Sequence, residues 1–360
     1  MAQATTGANL TQVAYISRQT VKFGLIFLVL FMVGRTFLSA FSAYWIASHP
    51  APPPPPTVGF GLLPPLKFPS KAQADKPTTY QMETATGGWS SLGDRAKVFL
   101  MIKANPSLLD DEKAKAIAAS FDFVFAPEVV SSEVYRFAKT QPLSSTFELQ
   151  TRTHDFTLST DYLSHPELLA AKEVPDQATA LSSVKTALGG AGLLSSDLAT
   201  SSGEIIYLKA LGTQLTPALS FSDADLVQVD LPRTPIDNQY RFYAPAGNKA
   251  NIHALVTGAG KESLVELTYH LQAIDYSQVQ TYPLRPVQTA WKILQSNEGF
   301  VAVKGDQDTA VVRKVSLGYY DDSQEQEYLQ PIYVFEGDGG FLGYVSAVDP
   351  AYIQGATKTN

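Results

Sequence analysis

The side chains that most often carry chemistry are few in this chain, and they do not cluster. The five histidines, His49, His154, His165, His253 and His270, fall in no HxH or HExxH spacing, so no metal site is suggested. Cysteine is absent, which excludes thiolate nucleophiles, iron-sulfur clusters, cysteine-held zinc and disulfides. No GxSxG elbow, SxxK or P-loop occurs, nor a GxGxxG between a strand and a helix. Gly189-Gly190-Ala191-Gly192 and Gly337 to Gly340 read instead as a helix cap and a turn. Asp321 and Asp322, with Glu325 and Glu327, form an acidic cluster that reads as a solvated hairpin turn, the alternative being a calcium site, which would need further oxygen ligands. The expectation is a protein without catalytic, cofactor-binding or metal residues, and not an enzyme. Catalytic groups gathered from separate segments would leave no local motif, so an envelope enzyme or inhibitor stays open.

Charge bears on the partner class. Lys and Arg number 27 against 34 Asp and Glu, a net charge of -7, and no basic run supplies the phosphate neutralisation a nucleic acid requires. No nucleic-acid partner is expected.

The element that must position the rest is apolar. Residues 23–47 read FGLIFLVLFMVGRTFLSAFSAYWIA. At about 1.5 Å per residue they can cross a roughly 30 Å hydrocarbon core. Thirteen Leu, Ile, Phe or Val residues, at roughly 0.3–0.6 kcal/mol each, outweigh the about 2.5–3.5 kcal/mol cost of one central Arg35. A cleaved signal peptide is the competing reading, since Phe23 to Gly34 has the length of its apolar region and small residues follow at Ser39, Ala40, Ser42 and Ala43. Arg35 either snorkels or pairs with an acidic group on a partner helix. Arg18 and Lys22 precede the helix, whereas no Lys or Arg follows it until Lys67, so the N-terminus is expected in the cytoplasm and the bulk of the chain outside it.

From these signals the chain divides into a cytoplasmic tail (1–22), a transmembrane helix (23–47) meeting the lipid bilayer, and a proline-rich stalk (48–78). A first extracytoplasmic α+β module (79–170), a second α+β region (171–350) and a tail (351–360) follow. Pro52 to Pro56 predict a stiff spacer that holds the folded part clear of the membrane. In the first module, spacing predicts helices at Asp94 to Ala104 and Asp110 to Ser120, then strands FDFVFA from Phe121, SEVYRFA from Ser132 and TFELQTRTHDFTL from Thr146. The second region opens with a helical stripe of Ala178, Leu181, Val184 and Leu188, closed by Gly189 and Gly190, and continues in strands. Pro286 starts another helix with an apolar face of Val287, Ala290, Trp291 and Leu294. A long hairpin then turns at Asp321 to Gln326 and again at Asp338-Gly339-Gly340. The fold class expected is α+β: one N-terminal transmembrane helix, then repeated units of a helix on an antiparallel sheet. Aromatic residues concentrate on the last hairpin, where alternation sends about half to the core. The rest are free for a partner, and Tyr319, Tyr320, Tyr333 and Phe335 join Arg35 as candidate partner contacts.

The order of a helix with Ala290 and Leu294, a strand ending Leu317-Gly318-Tyr319-Tyr320, and the strand Leu329 to Phe335 resembles the C-terminal part of the YycI/YycH type of two-component regulatory protein. VQVDLPRTPIDNQY, with Pro232-Arg233 and Ile236-Asp237, is similar to the strand and loop that open the corresponding half. The resemblance covers Asp176 to Pro350. It implies PepSY-like modules and a membrane-anchored regulator that contacts a membrane protein, a sensor histidine kinase. A homodimer is a further expectation, and a structural or envelope-binding protein is the alternative.

Overall fold

The chain forms two units, Met1–Pro55 and Pro56–Asn360. The computed structural model describes residues 10–48, 54–70, 75–84, 87–89, 92–141, 143–165, 169, 174–247, 250–258 and 263–355. His49 lies outside them.

In the first unit α1 spans Leu10–Ser48, 39 residues, or about 58 Å at 1.5 Å per residue. Its stretch Val13–Ile46 is long and apolar enough to cross a membrane. The helix starts well before the expected Phe23, so most of the tail expected at 1–22 is helical. The hydroxyls within the apolar stretch bond back to the helix itself. Thr36 Oγ1 donates to Met32 O at 3.0 Å, Ser39 Oγ to Thr36 O at 2.8 Å and Ser42 Oγ to Ser39 O at 2.9 Å, which removes their need for water.

The second unit is mostly sheet. α2 (Asp110–Ser120) carries Asp110, Asp111 and Glu112 in its first turn and buries Ala114, Ile117 and Ala118, the favourable charge arrangement at a helix N-terminus. β3 (Glu128–Ser131), β4 (Val134–Lys139), β5 (Ser145–Gln150) and β6 (Phe156–Thr160) follow as an antiparallel meander. α3 (Gln177–Gly190) is capped by Asp176, whose side chain accepts from Thr179 N at 2.7 Å, and it buries Ala180, Val184 and Leu188. After the short α4 (Ser196–Ala199) come β7 (Glu204–Leu211), β8 (Gln214–Pro217), β9 (Leu226–Asp230), β10 (Phe242–Tyr243), β11 (Ile252–Val256) and β12 (Leu264–Tyr269). Nine of these strands make one sheet in the order β3-β4-β5-β6-β12-β11-β9-β7-β8. Each series of strands follows a helix, and the two last strands, β6 and β12, meet antiparallel at Leu158↔Leu267. Phe147, Leu149, Val229, Ala254 and Leu267 form a core with the buried faces of α2 and α3.

A second sheet runs β1 (Thr79–Met82), β15 (Thr309–Tyr320), β17 (Pro331–Gly337), β18 (Leu342–Ser346), β14 (Phe300–Val303), with β1 and β10 parallel to β15. α5 (Val287–Gln295) packs Ala290, Trp291 and Leu294 into the core of this sheet. Three strands, β13 (Ile274–Pro283), β2 (Arg95–Met101) and β16 (Tyr328–Leu329), form the third sheet.

Several expectations are corrected here. Residues 94–104 are not helical: Arg95–Met101 is β2, flanked on both edges by β13 and β16. Its run Val98-Phe99-Leu100-Met101 suits a strand covered on both faces, a pattern that short apolar runs share with helices. FDFVFA is irregular chain rather than a strand; it anchors Phe121 and Phe123 in the core. The long strand expected from Thr146 is the β5–β6 hairpin, reversed at Thr151–Thr153, with His154 in the left-handed region at φ 62°. The boundary at 170 falls within a single sheet, because β6 pairs β12 and because β1 and β2 belong to sheets built from residues beyond 270. The stalk is largely a docked strap. Leu63 is fully buried; its N–H donates to Tyr352 O and its carbonyl accepts from Gln354 N, both at 2.8 Å. Thr57 and Thr281 exchange backbone-to-hydroxyl bonds of 3.0 and 2.9 Å, and Phe68 stacks on Phe300 at 5.2 Å. Its prolines keep this segment from extending the Leu63↔Ile353 bridge into a regular strand, and its apolar side chains find cover on the sheets.

Candidate functional site

Arg35 is exposed on α1 and makes no ion pair among the described residues. The other four candidate contacts are corrected by their burial. Tyr319, Tyr320, Tyr333 and Phe335 are at most 1% exposed. Tyr319 OH donates to Lys97 O at 3.0 Å and Tyr333 OH to Arg285 O at 2.8 Å. Phe335 lies 5.8 Å from Trp291 and Tyr320 lies 4.8 Å from Phe68 of the strap. Alternation along β15 and β17 does select two faces, but α5 covers one and the strap helps cover the other, so no aromatic face is left open. Desolvation pushes the Tyr333 phenol up to about 12.

The acidic turn is also resolved differently. Asp321 is buried, and its carboxylate accepts from Arg233 Nε at 3.0 Å. Arg233 is itself buried; it reaches Asp197 of α4 at 2.7 Å through Nη1 and the Gln272 carbonyl through Nη2, and lies 5.8 Å from the centre of the Phe242 ring. One guanidinium therefore joins α4, the loop after β9, the segment after β12 and the end of β15. Burial raises the Asp321 carboxyl above its ordinary value despite the pull of Arg233. For Asp197 burial also acts upward, but Arg233 and Ser195 together outweigh it and leave the group lowered. A single Arg following the apolar run of β9 was the only signal in the sequence. His253 likewise serves the interior: its Nδ1 lies 2.9 Å from Asp230 Oδ1, and Asp230 also accepts from Gln228 Nε2 at 2.6 Å and Ala250 N at 3.1 Å. No group of His, Asp and Glu suited to a metal occurs among the described residues.

An arrangement able to hold a ligand lies elsewhere, where α2 and α3 pass over the nine-stranded sheet. A cavity of ≈ 650 Å³ is lined by Phe121, Phe123, Leu143 and Leu158 below, and by Ser182 and Thr186 on α3 with Ser263 beside β12. Its volume falls in the usual range for small-molecule sites, about 300–1,000 Å³. Ser145 Oγ donates to Leu143 O at 3.1 Å and pairs with the Thr160 hydroxyl at 3.1 Å, so those hydroxyls are engaged with each other. The hydroxyls of Ser182, Thr186 and Ser263 have no partner among the described residues. Lys139 stands 4.8 Å over the Phe123 ring, and Asp122, at φ 64°, brings one carboxylate to the same rim. None of these residues was singled out from sequence, because Ser and Thr on a helix read as solvated surface. The edge strand β3 exposes Val129 and Val130 beside Val124 and Phe125, and its register shifts between Val129 and Ser131, an irregularity that discourages edge pairing.

No family model matches this chain, and no curated protein does. A solved structure of an uncharacterized protein from Eubacterium rectale is similar over 71% of this chain and 84% of its own, with 9% identity and a TM-score of 0.32.

Proposed function

We propose that the protein is a membrane-anchored, non-enzymatic interaction protein whose folded unit lies outside the cytoplasm and modulates a membrane partner. The observation that carries this reading is α1, whose apolar side chains are exposed along its length, a surface that a bilayer covers at no cost to its internally bonded backbone. The charges before and after it support a cytoplasmic N-terminus. Two helix-then-strands series that meet at the centre of one sheet support PepSY-like modules and, with them, a regulator of the YycI/YycH type acting on a sensor histidine kinase. Arg35 is then the contact on the membrane side, because an arginine amid hydrocarbon gains most from an acidic partner.

The test is crosslinking in the membrane, then purification of the full-length protein beside Arg35→Leu, with every copurifying membrane protein identified. A histidine kinase recovered with the first and lost from the second is the expected result. Recovery of only the protein itself or envelope components with both removes the kinase from the proposal. The unclaimed hydroxyls of the cavity favour one second reading, an envelope-binding protein.

A further inference from the structure

We propose that the cavity between α2 and α3 is a binding site for a neutral saccharide. This goes beyond the partner assigned to Arg35 and rests only on the folded unit.

The chemistry of the lining selects the class. β5, β6 and β12 under the cavity are interior strands, each bonded on both edges. A peptide laid there finds no free ladder of N–H and C=O groups, which is how extended peptides gain most of their affinity on sheets. Recognition must come from side chains. Those available are three hydroxyls, Ser182, Thr186 and Ser263, each able to donate and to accept. The rim carries one cation and one carboxylate, Lys139 and Asp122, which together present no net charge. A phosphate or nucleotide would need a surplus of donors or cations. The floor of Phe121, Phe123, Leu143 and Leu158 is apolar. A sugar ring matches this set, with hydroxyls at its perimeter that both donate and accept and C–H faces that pack on apolar side chains.

Ser182 and Thr186 lie one turn apart on α3, so both face the same side of the cavity. Both are exposed, so changing them leaves the core untouched. The experiment is titration calorimetry on the full-length protein in nanodiscs, with maltotriose and tri-N-acetylglucosamine as probes and trialanine and inorganic phosphate as contrasts. Three proteins are compared: wild type, Thr186→Trp, which fills the cavity, and the double variant Ser182→Ala/Thr186→Ala, which removes two hydroxyls while placing a better helix former at both positions. At least one saccharide is expected to bind wild type, with affinity falling about tenfold or more in both variants and with unfolding midpoints not lowered. The proposal is overturned if neither saccharide binds wild type, if the variants bind as well as wild type, or if trialanine or phosphate binds in their place. Failure here leaves the crosslinking result at Arg35 standing, and the reverse also holds.

Discussion

Replacing Arg233 with methionine removes the positive charge that lies between two buried carboxylates while roughly conserving side-chain volume. In the native fold Arg233 is 2% exposed as a side chain, with Asp197 at 11% and Asp321 at 8%. Without it two like charges face each other in a poorly solvated space, and the Gln272 carbonyl loses its donor. Removing one partner of a buried pair costs about 3–5 kcal/mol. A central figure of about 4 kcal/mol is a large part of the roughly 5–15 kcal/mol that holds a domain together. The folded unit, Pro56–Asn360, has 360 − 55 = 305 residues. At about 2.1 cal/mol/K per residue its unfolding entropy is about 640 cal/mol/K, so the midpoint falls by about 6 °C. The assay is thermal unfolding of the full-length protein in detergent, followed by tryptophan fluorescence. The triple variant Arg233→Met/Asp197→Asn/Asp321→Asn removes all three charges together and is expected to recover at least half of the loss. A single variant within about 1 °C of wild type, or a triple variant no better than the single, would refute the argument that buried charge is what the centre balances.

Asp197→Asn is expected to cost about 1.5–3 kcal/mol at neutral pH, the range for a hydrogen bond to a charged group. Its folded carboxyl lies below the ordinary 3.8, so its stabilisation is complete above that value and is lost as pH falls through the lower folded one; a difference from wild type that urea titration finds constant with pH would count against this. Asp321 has the opposite sign: its raised group is relieved of its burial cost as pH falls, so Asp321→Asn should be the milder change at pH 7. Leu63→Ala empties a fully buried position of the strap and should cost about 2–5 kcal/mol, read as a lower denaturation midpoint and faster proteolysis near residues 57–70. Gly318→Ala sets a Cβ 2.5 Å from the Tyr243 ring and 2.9 Å from Arg241 O; an overpacking loss of about 1–3 kcal/mol is expected in the same titration.

The elements that could be read from sequence are those whose pattern is self-contained. The apolar stretch of α1, the helix from Asp110 to Ser120, the apolar stripe of α3 and the face of Val287, Ala290, Trp291 and Leu294 each follow from spacing within one turn or one segment, so no distant residue was needed to recognise them. What depended on distant partners was not legible. Arg95–Met101 became a strand because β13 and β16 flank it, and FDFVFA became an anchor because the α2 core takes Phe121 and Phe123. The terminal aromatics look half exposed along β15 and β17, yet the strap, from the other end of the chain, covers the face that alternation left over. Asp321 looked solvated until Arg233, 88 positions away, came to lie beside it. The cavity is of the same kind: Ser182, Thr186 and Ser263 are ordinary surface residues in their own segments, and only the passage of two helices over one sheet turns their hydroxyls toward a shared space. Local periodicity records which side of an element avoids water, while tertiary packing decides what meets that side.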